Sequence, residues 1–84
     1  MNKLKEKEIE NILKEKYKKI VINVEFVSFR EYNIKIGIEY KAMFYETLLS
    51  YKYDSYLSID ENCDRIGEII DNIILSFYKG CDII

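Results

Sequence analysis

The stretch SIDENCDRIGEIIDNIILSFYKG, Ser58 to Gly80, constrains this chain more than any other. Ser58 with Glu61 three residues later is a capping box, in which hydroxyl and carboxylate each take a free backbone N–H of the first turn. Asp60, Glu61 and Asp64 stand where the helix dipole favours negative charge. Gly80 after Lys79 reads as the glycine that ends a helix in the left-handed conformation. At about 100° per residue, Ile59, Cys63, Ile66, Ile69, Ile70, Ile73, Ile74 and Phe77 share one broad apolar face. Asp60, Asp64, Glu68 and Asp71 share another. The stretch therefore predicts a helix over 59–79 with one side for a core and an acidic side for water or a partner.

The rest must supply something for that apolar face to cover. Asn2 is a candidate N-cap for a first helix through Lys19, on which Ile9, Ile12, Leu13 and Tyr17 share a side with Ile20. Its remaining positions are mostly Lys and Glu, with Glu10–Lys14 and Glu15–Lys19 at the favourable i, i+4 spacing, and they read as a solvated face. Residues 20–29 alternate Ile20, Ile22, Val24, Phe26 with Val21, Asn23, Glu25, Val27, which predicts a strand. Arg30 to Asn33 reads as a turn. Residues 34–41 give the cleanest alternation: Ile34, Ile36, Ile38 and Tyr40 on one face, Lys35, Gly37, Glu39 and Lys41 on the other. Gly37 on the wet face marks a bulge or a close approach. Residues 44–53 fit a strand through their tyrosines and Thr47, although a helix is a competing reading. The order is that of an α+β fold: a small single domain over residues 1–84, a helix, a three-stranded antiparallel meander sheet and a helix (αβββα), with both helices on one sheet face.

Composition sets the limits on function. A chain of 84 residues buries a modest core, and 49% hydrophobic with 33% charged residues is globular rather than disordered. No apolar run is long enough to span a bilayer and the N-terminus lacks a signal-like apolar segment, so a cytoplasmic protein that does not engage membranes is expected. Cys63 on this helix and Cys81 just past its end would stand about 27 Å apart, beyond disulfide reach. With no histidine and no glycine-rich phosphate loop, no catalytic, cofactor-binding or metal-ligating residue can be nominated, and no enzyme is expected.

The element order is also that of the double-stranded RNA-binding domain, which resembles this chain in topology but carries lysines at the start of its last helix. Asp60, Glu61 and Asp64 take that place, so direct nucleic-acid binding there is disfavoured. Charge is divided unevenly: residues 1–41 hold ten Lys/Arg against seven Asp/Glu, and residues 42–84 hold three against eight. The carboxylates of Asp60, Asp64, Glu68 and Asp71 repeat at each turn, roughly 5–6 Å apart, a spacing comparable to that of phosphates. In the competing reading they are a solvated face, with Arg65 bridging Glu61 and Glu68. Leu75 and Tyr78 continue the acidic side and give it the look of a contact surface, so Asp60, Asp64, Glu68, Asp71, Leu75 and Tyr78 are the candidate partner-binding residues. The tyrosines near the third strand, Tyr45, Tyr51, Tyr53 and Tyr56, offer further contact area.

Heavy use of isoleucine, lysine, asparagine and tyrosine suits a low-GC bacterial or phage genome. An acidic chain of this kind, ordered helix, three strands and capped helix, resembles the Cas9-inhibiting anti-CRISPR proteins of prophages. The local similarity is SFYKG at Ser76–Gly80, where one such inhibitor has a Phe-then-Gly helix end. The resemblance implies a stoichiometric inhibitor whose acidic side chains occupy the PAM-reading site of a Cas nuclease in the host cytoplasm. This chain departs from the pattern at Lys41–Met43, which carries no acidic residue where the inhibitor's hairpin is acidic, and in having no third helix. No residue roles are carried over. The expected partner is a host protein complex with a basic surface; the alternative is an interaction module that forms a homodimer through the third strand.

Overall fold

A computed structural model describes the backbone of residues 2–82 and the side chains of residues 5–79. Its elements are α1 (Asn2–Lys16), β1 (Val21–Ser28), β2 (Glu31–Tyr40), β3 (Met43–Lys52) and α2 (Ile59–Asp82). The strands form one antiparallel sheet in the order β1-β2-β3, with both helices on one face. The meander follows from three consecutive alternating segments joined by short connections.

The core lies where the apolar sets converge. Ile9 and Leu13 of α1, Ile22 of β1, Ile34 and Ile36 of β2, and Ile66 and Ile70 of α2 are all fully buried. Tyr32 joins them, stacking edge-on with Phe26 at 5.5 Å between ring centroids. On the third strand Leu49 and Tyr51, with Tyr53 just beyond it, are buried, so the strand reading of this segment holds.

Several boundaries differ from the expected ones, beginning with Asn2, which lies within α1 rather than capping it. Strand pairing makes the first hairpin tighter than the sequence implies and moves the second by one residue. β2 begins at Glu31, leaving Phe29 and Arg30 as the first turn, with Phe29 at φ 54°. Lys41 and Ala42 make the second, at φ 51° and 64°. Positive φ at both central residues is the geometry that suits the twist of a two-residue hairpin, usually supplied by Asn-Gly. The first helix stops at Lys16 rather than Lys19, and Tyr17, whose N–H still donates to the Leu13 carbonyl, carries its hydroxyl to α2. The last runs through Gly80 to Asp82, so Gly80 does not end it and Cys81 lies within the helix rather than past it. The capping box does form: Glu61 N–H donates to Ser58 Oγ at 3.1 Å, and Ser58 N–H to Glu61 Oε1 at 3.0 Å. Ser58→Ala should therefore lower stability by about 1 kcal/mol in a denaturant titration.

The glutamates of α1 do more than meet solvent. β1 is an edge strand, and its outward N–H groups at Val24 and Phe26 donate to Glu10 Oε1 at 2.8 Å and Glu6 Oε2 at 2.6 Å. Two carboxylates thus satisfy two of the donors that a neighbouring strand would otherwise take, and they blunt that edge. Glu10 also receives Lys14 at 3.2 Å, the expected i, i+4 pair. Glu15 pairs with Lys18 at 3.8 Å, not with Lys19. On the uncovered face of the sheet, the Phe44 ring lies across Gly37. A Cβ there would stand 2.3 Å from the ring, so the glycine is needed for that close approach.

Candidate functional site

Helix α2 presents its acidic side outward. Asp60, Asp64, Glu68, Asp71, Leu75 and Tyr78 are exposed, Leu75 to 66% and Tyr78 to 39%. From Asp60 to Leu75 the row extends about 22 Å along the axis. The apolar side faces inward: Cys63, Ile66 and Ile70 are buried, and Ile73, Ile74 and Phe77 pack against the core. Ile69 is the exception. It is 38% exposed and lines a groove of about 660 Å³ between the C-terminal half of α2 and the sheet, together with Ile38, Tyr45, Thr47, Ile73 and Phe77.

Arg65 does not neutralise the row. It reaches Asp54 Oδ2 at 3.7 Å, in the loop before α2, and not Glu61 or Glu68. Among the described residues no ion pair involves Asp60, Asp64, Glu68 or Asp71. Two of the six candidates are partly engaged in the fold. Asp71 Oδ1 lies 2.6 Å from the hydroxyl of Tyr17, which also lies 2.9 Å from the Gly67 carbonyl. With one proton to give, that hydroxyl donates to one acceptor at a time. Burial, and then the Asp71 carboxylate, push its pKa well above the usual phenol range. A Cβ on Gly67 would stand 2.9 Å from Lys16 Nζ and 3.2 Å from Tyr17 Oη, so the glycine admits the end of α1. Tyr78 packs edge-on against Tyr40 and Phe77, with centroids 5.7 Å and 5.3 Å away. The freest part of the row is therefore Asp60, Asp64, Glu68 and Leu75.

The candidate tyrosines separate in the same way. Tyr51 and Tyr53 belong to the core, whereas Tyr45 and Tyr56 are exposed. Tyr51 donates its hydroxyl to Asn62 Oδ1 at 2.6 Å, and burial holds its pKa above the usual value. Asn62, fully buried on the inner side of α2, is a residue that the hydrophobic pattern passes over. Its Oδ1 also accepts from Asp54 N–H at 2.9 Å, and its Nδ2 donates to the carbonyls of Asp54 at 3.0 Å and Ser58 at 2.9 Å. A polar residue flanked in helical projection by Ile59, Ile66, Ile69 and Ile73 was the available signal. It fixes the exit of β3 to the start of α2, and so sets where the acidic row begins.

Cys63 is unsuited to nucleophilic chemistry. Burial, then the Asp60 and Asp64 carboxylates, push its pKa up to about 11. At pH 8 the folded chain should hold about a hundredfold less thiolate at this position than a free cysteine. In a Cys81→Ser background, alkylation of folded protein at pH 8 should be slow and should become fast in denaturant. Rapid alkylation without denaturant would contradict the buried placement. Among the described residues no three His, Cys, Asp or Glu side chains are grouped to hold a metal ion. No described helix is long and apolar enough to cross a membrane.

The fold and this surface define a small α+β domain with an acidic outer helix face whose Asp60, Asp64, Glu68 and Asp71 make no ion pair among the described residues. No protein-family model, curated protein or solved structure matches the chain.

Proposed function

We propose that this chain is a stoichiometric binding protein, of phage or mobile-element type, that inhibits a host nucleic-acid-handling complex by laying the acidic face of α2 on its basic surface. The observation that carries this reading is the lack of any ion pair to Asp60, Asp64, Glu68 or Asp71 among the described residues. Like charges repeated at each turn repel one another, by a few tenths of a kcal/mol per i, i+4 pair. A basic groove that normally holds phosphates would relieve that repulsion and gain charge-steered association. The reading is non-enzymatic and needs no cofactor. A guide-loaded Cas9-type nuclease is the first partner to test, because the anti-CRISPR resemblance implies it.

The test is displacement of labelled DNA from a panel of purified nucleic-acid-handling complexes, beginning with that nuclease. Wild-type chain should displace DNA from at least one of them at near-equimolar ratio. The triple variant Asp60→Lys, Asp64→Lys, Glu68→Lys should lose displacement while remaining cooperatively folded, since exposed changes of this kind stay within about 0.5 kcal/mol each, with a dipole cost of about 0.3–1 kcal/mol added at Asp60 in the first turn. Asp71 is left intact because of its contact with Tyr17. Equal displacement by the triple variant, or none by wild type across the panel, would overturn the reading.

A further inference from the structure

The two edges of the sheet are treated differently. The β1 edge is blunted by Glu6 and Glu10, as described. The β3 edge is not. Tyr53 N–H donates inward to the Arg30 carbonyl at 2.7 Å, so by the alternation of an antiparallel ladder the N–H and C=O of Phe44, Glu46, Leu48, Ser50 and Lys52 point outward. Among the described residues no backbone or side-chain group hydrogen-bonds to them. The same five side chains stand on the uncovered face, where Phe44 is 54% and Leu48 60% exposed. An edge this long, with apolar side chains beside unpaired backbone, is a template for another strand.

We infer that the occupant is a second copy of this chain, its β3 pairing antiparallel with the first about a two-fold axis at Leu48. The side chains select this register. Centred on Leu48, all five outward residues find partners at once: Leu48 faces Leu48, Glu46 faces Ser50, and Phe44 faces Lys52. Each Glu46 then has the other copy's Lys52 as its diagonal neighbour, within reach of long side chains. Each Phe44 ring receives that same ammonium. No like charges stand opposite one another. A shift to Glu46 on Glu46 would place two carboxylates on the axis, and registers further along the strand leave outward groups unpaired. On the other face of the sheet the same register sets Tyr45 beside Tyr51 and Thr47 beside Leu49 of the second copy. That extends the sheet beside the groove and covers more apolar surface than the edge alone. The result is a six-stranded sheet whose two outer edges are both blunted by α1. A two-fold interface of this kind is closed, so pairing stops at the dimer.

Sedimentation equilibrium over a range of concentrations tests this. Wild type should move from the 10.1 kDa monomer toward twice that mass as concentration rises. Leu48→Lys, which puts two ammonium groups on the axis, should weaken the dimer by about tenfold or more while leaving the melting curve of the monomer unchanged. In a Cys81→Ser background, Leu48→Cys should form an intermolecular disulfide under mild oxidation, because directly opposed residues of a hydrogen-bonded pair lie about 5.5 Å apart at Cα. Glu68→Lys, on the acidic row, should leave the dimer intact, which separates this surface from the one proposed for the partner. A wild-type chain that stays monomeric at every concentration would overturn the inference. So would a dimer that Leu48→Lys does not weaken or that Leu48→Cys does not cross-link.

Discussion

Replacing Asn62 with Ala should lower the unfolding free energy by about 2–4 kcal/mol, since it strands several buried polar groups at once. The Tyr51 hydroxyl and the Asp54 N–H lose their acceptor, and the Asp54 and Ser58 carbonyls lose a donor. In a chain of this size the melting temperature should drop by about 10–25 °C. The loss comes from leaving groups unpaired, and not from volume alone. Tyr51→Phe should therefore cost less in an Asn62→Ala background than in wild type, a coupling readable by a double-mutant cycle. Additive costs would mean that the two residues do not share the bond seen here. Because Asn62 ties the exit of β3 to the first turn of α2, its loss should also loosen the placement of Asp60 and Asp64.

A second large effect is expected at Ile70. Truncation to Ala removes a fully buried side chain from the meeting point of α2 and the sheet, and should cost about 2–5 kcal/mol through lost transfer energy and a residual cavity. Ile73, one turn further on, is only partly buried and lines the groove. Its truncation should cost about 1–2 kcal/mol, because the site already opens to water. Chemical denaturation of the two variants checks this. Equal costs would mean that α2 is rotated about its axis relative to the arrangement described, and that the acidic row points elsewhere.

What could be read from the sequence was local. Ser58 and Glu61 announce the start of α2 because both partners of the cap lie within four residues. The alternation Ile34, Ile36, Ile38 marks β2 because each side chain takes its face from the strand's own period. The exposure of Asp60, Asp64, Glu68 and Leu75 follows from the same helical period that buries Ile66 and Ile70. Features that depend on distant partners stayed hidden. Glu6 and Glu10 look like half of a solvated Lys/Glu face until β1 is laid beside them. Phe29, Lys41 and Ala42 give no sign of positive φ, which the paired strands impose on them. Gly80 reads as a stop, yet α2 passes through it. Tyr78 reads as part of the outer row and is exposed there, and only the placement of Tyr40 at the end of β2 shows that its ring is also packed. Arg65 has carboxylates three and four positions away on its own helix, but Asp54 is the one it reaches.

The proposed charge-driven binding of the outer face of α2 to a basic surface is tested most directly by the salt dependence of partner binding. The measurement is the dissociation constant for a complex that the displacement assay identifies, taken across a series of salt concentrations. Wild type should be compared with the near-isosteric neutral variant Asp60→Asn, Asp64→Asn, Glu68→Gln. Wild-type binding should weaken steeply with added salt, and the neutral variant should bind more weakly at low salt with a shallower dependence, the two curves converging at high salt. Parallel curves of equal affinity would contradict the account and leave the acidic row as a solvent-facing surface.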